Sequence, residues 1–163
     1  MRNTAISIAA RTLALVMLRR LISTSVEENW SCLNDQIKNT LKAELLTAVQ
    51  QEADNTIRKK ITDVIAELAR FLIDEEGANR WPEVLTFLFE MSSSPNVTLR
   101  EASLNIFTNF PGIFGNQETH YMQVIHQLLM SSLTDTNKTV IIKIPVWRGE
   151  FWRPASNFLV NLD

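Results

Sequence analysis

Asp63, Glu67, Arg70 and Asp74 are spaced 4, 3 and 4 residues apart. On a helix this spacing puts all four on one stripe. Carboxylates interrupted by one guanidinium offer ion pairing and charge-assisted hydrogen bonds, which is recognition chemistry rather than bond-making chemistry. Three arginines, Arg11, Arg58 and Arg100, recur at separations of 47 and 42 residues. Two readings are open for them. They form a basic ladder for an anionic partner, or each pairs with acidic or carbonyl groups nearby and holds adjacent units in register. Recurrence at one structural position favours the second.

The remaining reactive side chains do not assemble a catalytic site. His120 and His126 are six residues apart, roughly 600° around a helix, so they do not face each other. Cys32 has no base near it in sequence. No glycine-rich phosphate loop occurs, and no His/Cys spacing suits zinc. The expectation is a binding protein without cofactor or metal, not an enzyme. Asn96-Val97-Thr98 and Asn137-Lys138-Thr139 match the glycosylation sequon and read as incidental in the absence of a convincing leader.

Composition supports this direction. Of 163 residues 45% are apolar, with only 4 Gly and 5 Pro, which disfavours long loops and points to one soluble, helix-rich domain. A net charge of −2 implies neither a nucleic-acid partner nor a membrane surface. A single cysteine forms no internal disulfide and fits a reducing compartment. The apolar stretch 12–18 is closed by Arg11 on one side and Arg19-Arg20 on the other. It is too short to span a bilayer. Arg2 ahead of it meets part of a secretory-leader pattern, but no small-residue cleavage site follows cleanly.

The elements that position the charged residues follow from the arginine register. Three, six, seven and ten residues after the arginines stand Ala14, Ile61 and Ser103; Met17, Val64 and Ile106; Leu18, Ile65 and Phe107; Leu21, Leu68 and Phe110. All but Ser103 are apolar, at offsets that mark one helical face. Separations of 47 and 42 residues lie in the range of HEAT and armadillo units. Each aligned helix has a partner. The first partner is a helix over 35–51, with Ile37, Leu41, Leu45 and Val49 four apart; the second opens at Pro82 after Trp81; the third covers 117–133, with Tyr121, Ile125, Leu128 and Leu129. Asp54-Asn55 and Asn96 supply N-cap oxygens. Gly77, after Asp74-Glu75-Glu76, reads as a helix C-terminus. The fold class is therefore all-α, an α-solenoid of about three antiparallel helix pairs over 1–136, cut at both ends and followed by an irregular tail over 137–163.

In a solenoid the second helices line the concave surface where long ligands bind. The stripe opposite the apolar face supplies the candidates. They are Arg19 from the first aligned helix, with Thr12, Val16 and Ser23 on the same stripe; Asp63, Glu67, Arg70 and Asp74 from the second; and Glu101, Asn105 and Asn109 from the third, near Thr108. Acidic groups there suit Lys/Arg-rich partner segments. The plainer alternative is an ordinary solvated helix face.

Several strings also resemble a known family: Arg2-Asn3-Thr4, Leu18-Arg19-Arg20-Leu21, Arg58-Lys59-Lys60, Ala66-Glu67-Leu68-Ala69-Arg70, Leu72-Ile73-Asp74-Glu75, Trp81-Pro82-Glu83 and above all the run from Asn109 to Gln117, NFPGIFGNQ. Over residues 2–136 the chain is similar to the karyopherin-β (importin-β) family of nuclear transport receptors, in its importin-five branch. The resemblance implies a piece of a long HEAT solenoid acting in protein import into the nucleus, shuttling between cytoplasm and nucleus. It implies as partners the Ran GTPase, basic nuclear-localisation cargo and FG-repeat nucleoporins, without nucleic acid or membrane insertion. The family often carries Trp-Asn where this chain has Thr108-Asn109, so the asparagine is kept and the aromatic is absent. The alternatives are a generic HEAT scaffold and a non-functional truncated copy.

Overall fold

The structure, a computed structural model, describes residues 7–133. It consists of α1 (Ile8–Cys32), α2 (Asp35–Gln51), α3 (Asn55–Phe71), α4 (Pro82–Ser92), α5 (Val97–Asn109), a 3-10 turn (Pro111–Gln117) and α6 (Glu118–Leu133). The starts are written in the sequence. Asn34, Asp54 and Asn96 accept from the backbone N–H of Ile37, Ile57 and Thr98 at 2.8, 2.9 and 3.0 Å. Each satisfies one of the donors that a helix leaves unpaired at its first turn. Pro82 opens α4, where its missing N–H is no loss.

α2 packs on α3 and α4 on α5, and α3 also lies between α1 and α5. Two complete pairs are thus flanked by α1, a second helix, and α6, a first helix. The N-caps Asp54 and Asn96 are 42 residues apart, the period of a HEAT unit and longer than the 34-residue period of a TPR unit. Among the described residues there is no strand; one isolated bridge joins Ile73 to Asn79.

The core runs between the layers. Ile61, Val64, Ile65 and Leu68 of α3 and Ser103, Ile106 and Phe107 of α5 are buried, as their offsets require. Trp81 is fully buried in the core, while Trp30 packs edge-on to Phe71. The four-residue spacing in α2 delivers less: Leu45 and Val49 are buried, Leu41 is half-buried and Ile37 is exposed. A four-residue step drifts about 40° around a helix, so Ile37 and Val49 differ by about 120° in heading. Tyr121 and Ile125 of α6 join the core; Leu128 and Leu129 fall outside the described side chains, and the tail over 137–163 lies outside the described residues.

α1 departs from the register. Ala14, Met17 and Leu21, aligned with core positions of α3, are exposed, and only Leu18 is half-buried. α1 reaches α3 through Leu15, Leu18 and Ile22 instead. The reason is that those positions in α3 and α5 face the first helix of the same pair, and no described helix precedes α1. The helix also kinks at Ser25 (φ −145°, ψ 22°). Ser23 and Thr24 both donate hydroxyls to the Arg20 carbonyl, at 3.1 and 2.8 Å, a local competition that bends helices.

A charged face shared by three helices

The recurrent arginines turn out to be structural. Arg58, buried, donates to the carbonyl oxygens of Val49 and Glu52, where α2 ends, and to the Asn55 side chain. Arg100 donates to the carbonyls of Ser94 (2.9 Å) and Pro95 (3.1 Å), where α4 ends. Both reach a carbonyl six residues back. The orphan acceptors of each first helix are thus satisfied by the first turn of the second. Arg11 pairs with the buried carboxylate of Glu52, which also accepts from the Asp54 N–H. Glu52 therefore links α1 to the α2–α3 turn. These contacts act within a pair at Arg58 and Arg100, and between pairs at Arg11.

The candidate stripe gathers on the face shared by α1, α3 and α5. Arg19 stands 3.5 Å from Glu67 and 3.9 Å from Asp63. Lys60 lies 3.4 Å from Asp63, and Lys59 lies 4.0 Å from Glu101. Asn109 donates its side-chain amide to Asp63 at 3.0 Å. Arg70 donates to Glu67 at 3.3 Å and to the Asn109 carbonyl at 2.8 Å, with its guanidinium over the Phe110 ring. Glu101 and Asn105 line a shallow surface depression between α3 and α5, together with Asn55, Arg58, Lys59, Thr98 and Ala102.

Burial sorts these charges by sign. The side chains of Asp63, Glu67 and Glu101 are 20, 14 and 13% exposed, those of Arg19, Arg70 and Lys59 are 49, 48 and 55% exposed. The acids form an inner layer and the cations an outer rim. The stripe that read as acidic presents mostly positive charge to solvent. Lys59 and Lys60 belong to this rim and were missed among the candidates, although their place one turn before Asp63 is visible in the sequence.

Asp74 does not belong to the stripe. α3 ends at Phe71, and Leu72 (φ −86°, ψ 5°) leaves the helix. The Asp74 carboxylate accepts from the N–H of Ala78 at 2.7 Å and of Glu76 at 3.1 Å, and meets Arg80 at 3.2 Å. Those hydrogen bonds, that of Ala78 foremost, hold its carboxyl below the usual 3.8 against an opposing effect of burial. Short acidic side chains compete for backbone donors in this way, which favours turns over helices. Gly77 (φ +81°) lies inside that turn, not at the helix end.

The run Asn109–Gln117 forms the other half of a lock whose function the sequence did not disclose. Asn116 donates its N–H to the Gly77 carbonyl at 2.7 Å and its side-chain amide to the Glu76 carbonyl. Asn79 donates to the Ile113 carbonyl at 2.7 Å. Gly115 (φ +55°) lies so close that a side chain there would run into the Gly77 carbonyl oxygen. Phe114 is buried between Phe89, Phe107 and Tyr121. Among the described residues no group of His, Cys, Asp and Glu is placed to hold a metal ion, and no helix is long and apolar enough to cross a membrane. His120 and His126 are both exposed on α6.

Comparison with known proteins agrees with this architecture. The profile of the family described as "IPO5-like, TPR repeats" matches residues 53–143. A probable importin-5 homolog of Dictyostelium discoideum is 44% identical over 89 residues, 54% of this chain and 8% of the relative. Importin subunit beta-3 of Saccharomyces cerevisiae is 27% identical over 117 residues, 72% of this chain and 10% of the relative. The crystal structures of Kap121p bound to Pho4p and bound to Nup53p each superpose with a TM-score of 0.67 at 25% identity, covering 84% of this chain and 12% of Kap121p. The chain spans about a tenth of the length of these relatives. With more than half of its residues matched by the family profile, the chain belongs to the IPO5-like family, within the karyopherin-β group of HEAT-repeat proteins.

Proposed function

We propose that this chain is a protein-binding segment of nuclear transport receptor type, docking its partners on the face shared by α1, α3 and α5. The observation that carries the reading is the gathering of Arg19, Asp63, Glu67, Arg70, Glu101 and Asn109 from three successive second helices onto one face. Charged side chains in three layers can follow a long partner along the stack. The partner classes are the Ran GTPase, cargo and nucleoporins, and the work is import of protein from cytoplasm to nucleus. Kap121p is seen bound to Pho4p and to Nup53p, which supports protein partners of this kind.

A receptor of full length wraps its partner with many repeats, whereas two complete pairs supply a small share of the interface. Avidity between distant repeats is lost. A dissociation constant on the order of micromolar or weaker, about −8 kcal/mol at best, follows. The test is a calorimetric titration with Ran loaded with GTP or with GDP. Preference for the GTP form supports the transport reading. Equal or absent binding of both forms by folded protein leaves a generic HEAT scaffold.

A further inference from the structure

We infer that the face shared by α1, α3 and α5 selects acidic segments, extended and rich in Asp and Glu, and that Arg19 and Lys59 are the side chains that capture them. The inference rests on the proposal that this face binds protein, and it assigns the polarity of what is bound. The inner carboxylates are already engaged. Asp63 serves Asn109, Lys60 and Arg19, and Glu67 serves Arg70 and Arg19. A Lys- or Arg-rich segment would have to displace these partners from half-buried positions.

The outer cations are held differently. The Arg19 side chain has no hydrogen bond among the described residues; it stands 3.5 and 3.9 Å from its two carboxylates. Lys59 likewise has only the 4.0 Å approach to Glu101. A guanidinium carries five donors in a fork that fits a carboxylate, and an ammonium carries three. The side chains that carry these donors are about half exposed. Arg70 contributes charge, with donors already engaged by Glu67 and by the Asn109 carbonyl. Counting Arg19, Lys59, Lys60 and Arg70 against Asp63, Glu67 and Glu101 leaves the face with one positive charge in excess.

Protein is favoured over nucleic acid as the anion. The few cations of the rim, one in excess over the carboxylates, are too few to neutralise a run of backbone phosphates, on which nucleic-acid binding depends. The nearest aromatic, Phe110, already lies beneath Arg70 and offers no ring for base stacking.

The test is fluorescence anisotropy with three labelled probes: a short Asp/Glu-rich peptide, a Lys/Arg-rich peptide of equal length, and a single-stranded oligonucleotide of the same charge as the first. Each is titrated with the full chain at low salt and at about 0.15 M salt. The acidic peptide is expected to bind about tenfold more tightly than either other probe at low salt. Arg19→Gln with Lys59→Gln is expected to remove that preference while the thermal melt is retained. Lys59→Gln alone, which breaks no hydrogen bond, weakens binding by about threefold. Preference for the basic peptide, lost in Asp63→Asn with Glu67→Gln, overturns the polarity and leaves the protein-binding role intact. Equal capture of the oligonucleotide overturns selection of peptide. Failure of every probe overturns the inference, and the Ran titration then judges the binding role by itself.

Discussion

Asn109, the last residue of α5, donates its side-chain amide to Asp63 of α3 at 3.0 Å. A carboxylate expected to stand free on a solvated stripe is thereby a tie between two HEAT pairs. Asp63→Ala removes this bond and the ion pairs to Lys60 and Arg19. A loss of about 1 kcal/mol is expected in urea denaturation, above the roughly 0.5 kcal/mol ceiling of an unengaged surface position. Asn109→Ala should cost a similar amount. Because the two share one contact, the double variant should lose less than the sum.

Arg58 is buried and satisfies the carbonyls that close α2. Arg58→Met keeps much of the stem and leaves those carbonyls without a donor. Hydrogen bonds to charged groups contribute about 1.5–3 kcal/mol each, so a loss of at least about 3 kcal/mol is expected. Arg100, which performs the same task from a half-buried position, should cost less when replaced. Truncation of Ile65 or Phe107 to Ala, by contrast, removes core volume and should cost about 2–5 kcal/mol. Chemical denaturation of the four variants checks the ranking.

How much of this was legible in the sequence depends on the range of the interaction. The helix starts at Asp54, Pro82 and Asn96 were readable because capping is local chemistry. The core of α3 and α5 was readable from periodicity. Periodicity failed at Met17 and Leu21, because burial depends on what packs against a helix and not on its pattern alone. Asp74 was misplaced because a carboxylate four residues after Arg70 fits a helical stripe and an Asx turn equally well. The sign of the exposed charge was not readable at all. It depends on which of two neighbouring side chains lies deeper, as Lys59 over Glu101 shows.

The loop lock gives a steric prediction. Gly115 has φ +55°, and a side chain there would meet the Gly77 carbonyl, which accepts the Asn116 N–H. Gly115→Ala should therefore break the contact between the two loops, at a cost of about 2 kcal/mol or more. A thermal melt reads the loss. Hydrogen exchange should place it at 72–81 and 110–117 before the helices open.

The Asp74 turn should respond to acid. Its carboxyl titrates below the ordinary 3.8, chiefly because the Ala78 N–H donates to it. A depressed folded value means that the turn's contribution is present above 3.8 and is lost as pH falls through the lower, folded value. A carbon-13 titration of the Asp74 carboxyl should show a midpoint below 3.8, with the Ala78 amide resonance moving in parallel. Asp74→Asn should abolish the movement at Ala78. A midpoint at or above 3.8 would contradict the assignment.

The central claim is that the helices α1, α3 and α5 present the binding face. The most direct measurement is an NMR titration of the labelled 163-residue chain with GTP-loaded Ran at low salt. Perturbed amides are expected in α1 near Arg19, in α3 from Lys59 to Arg70 and in α5 from Glu101 to Asn109, with α2 and α4 little changed. Perturbations confined to α2 and α4, or none in a sample that remains folded, would contradict the account.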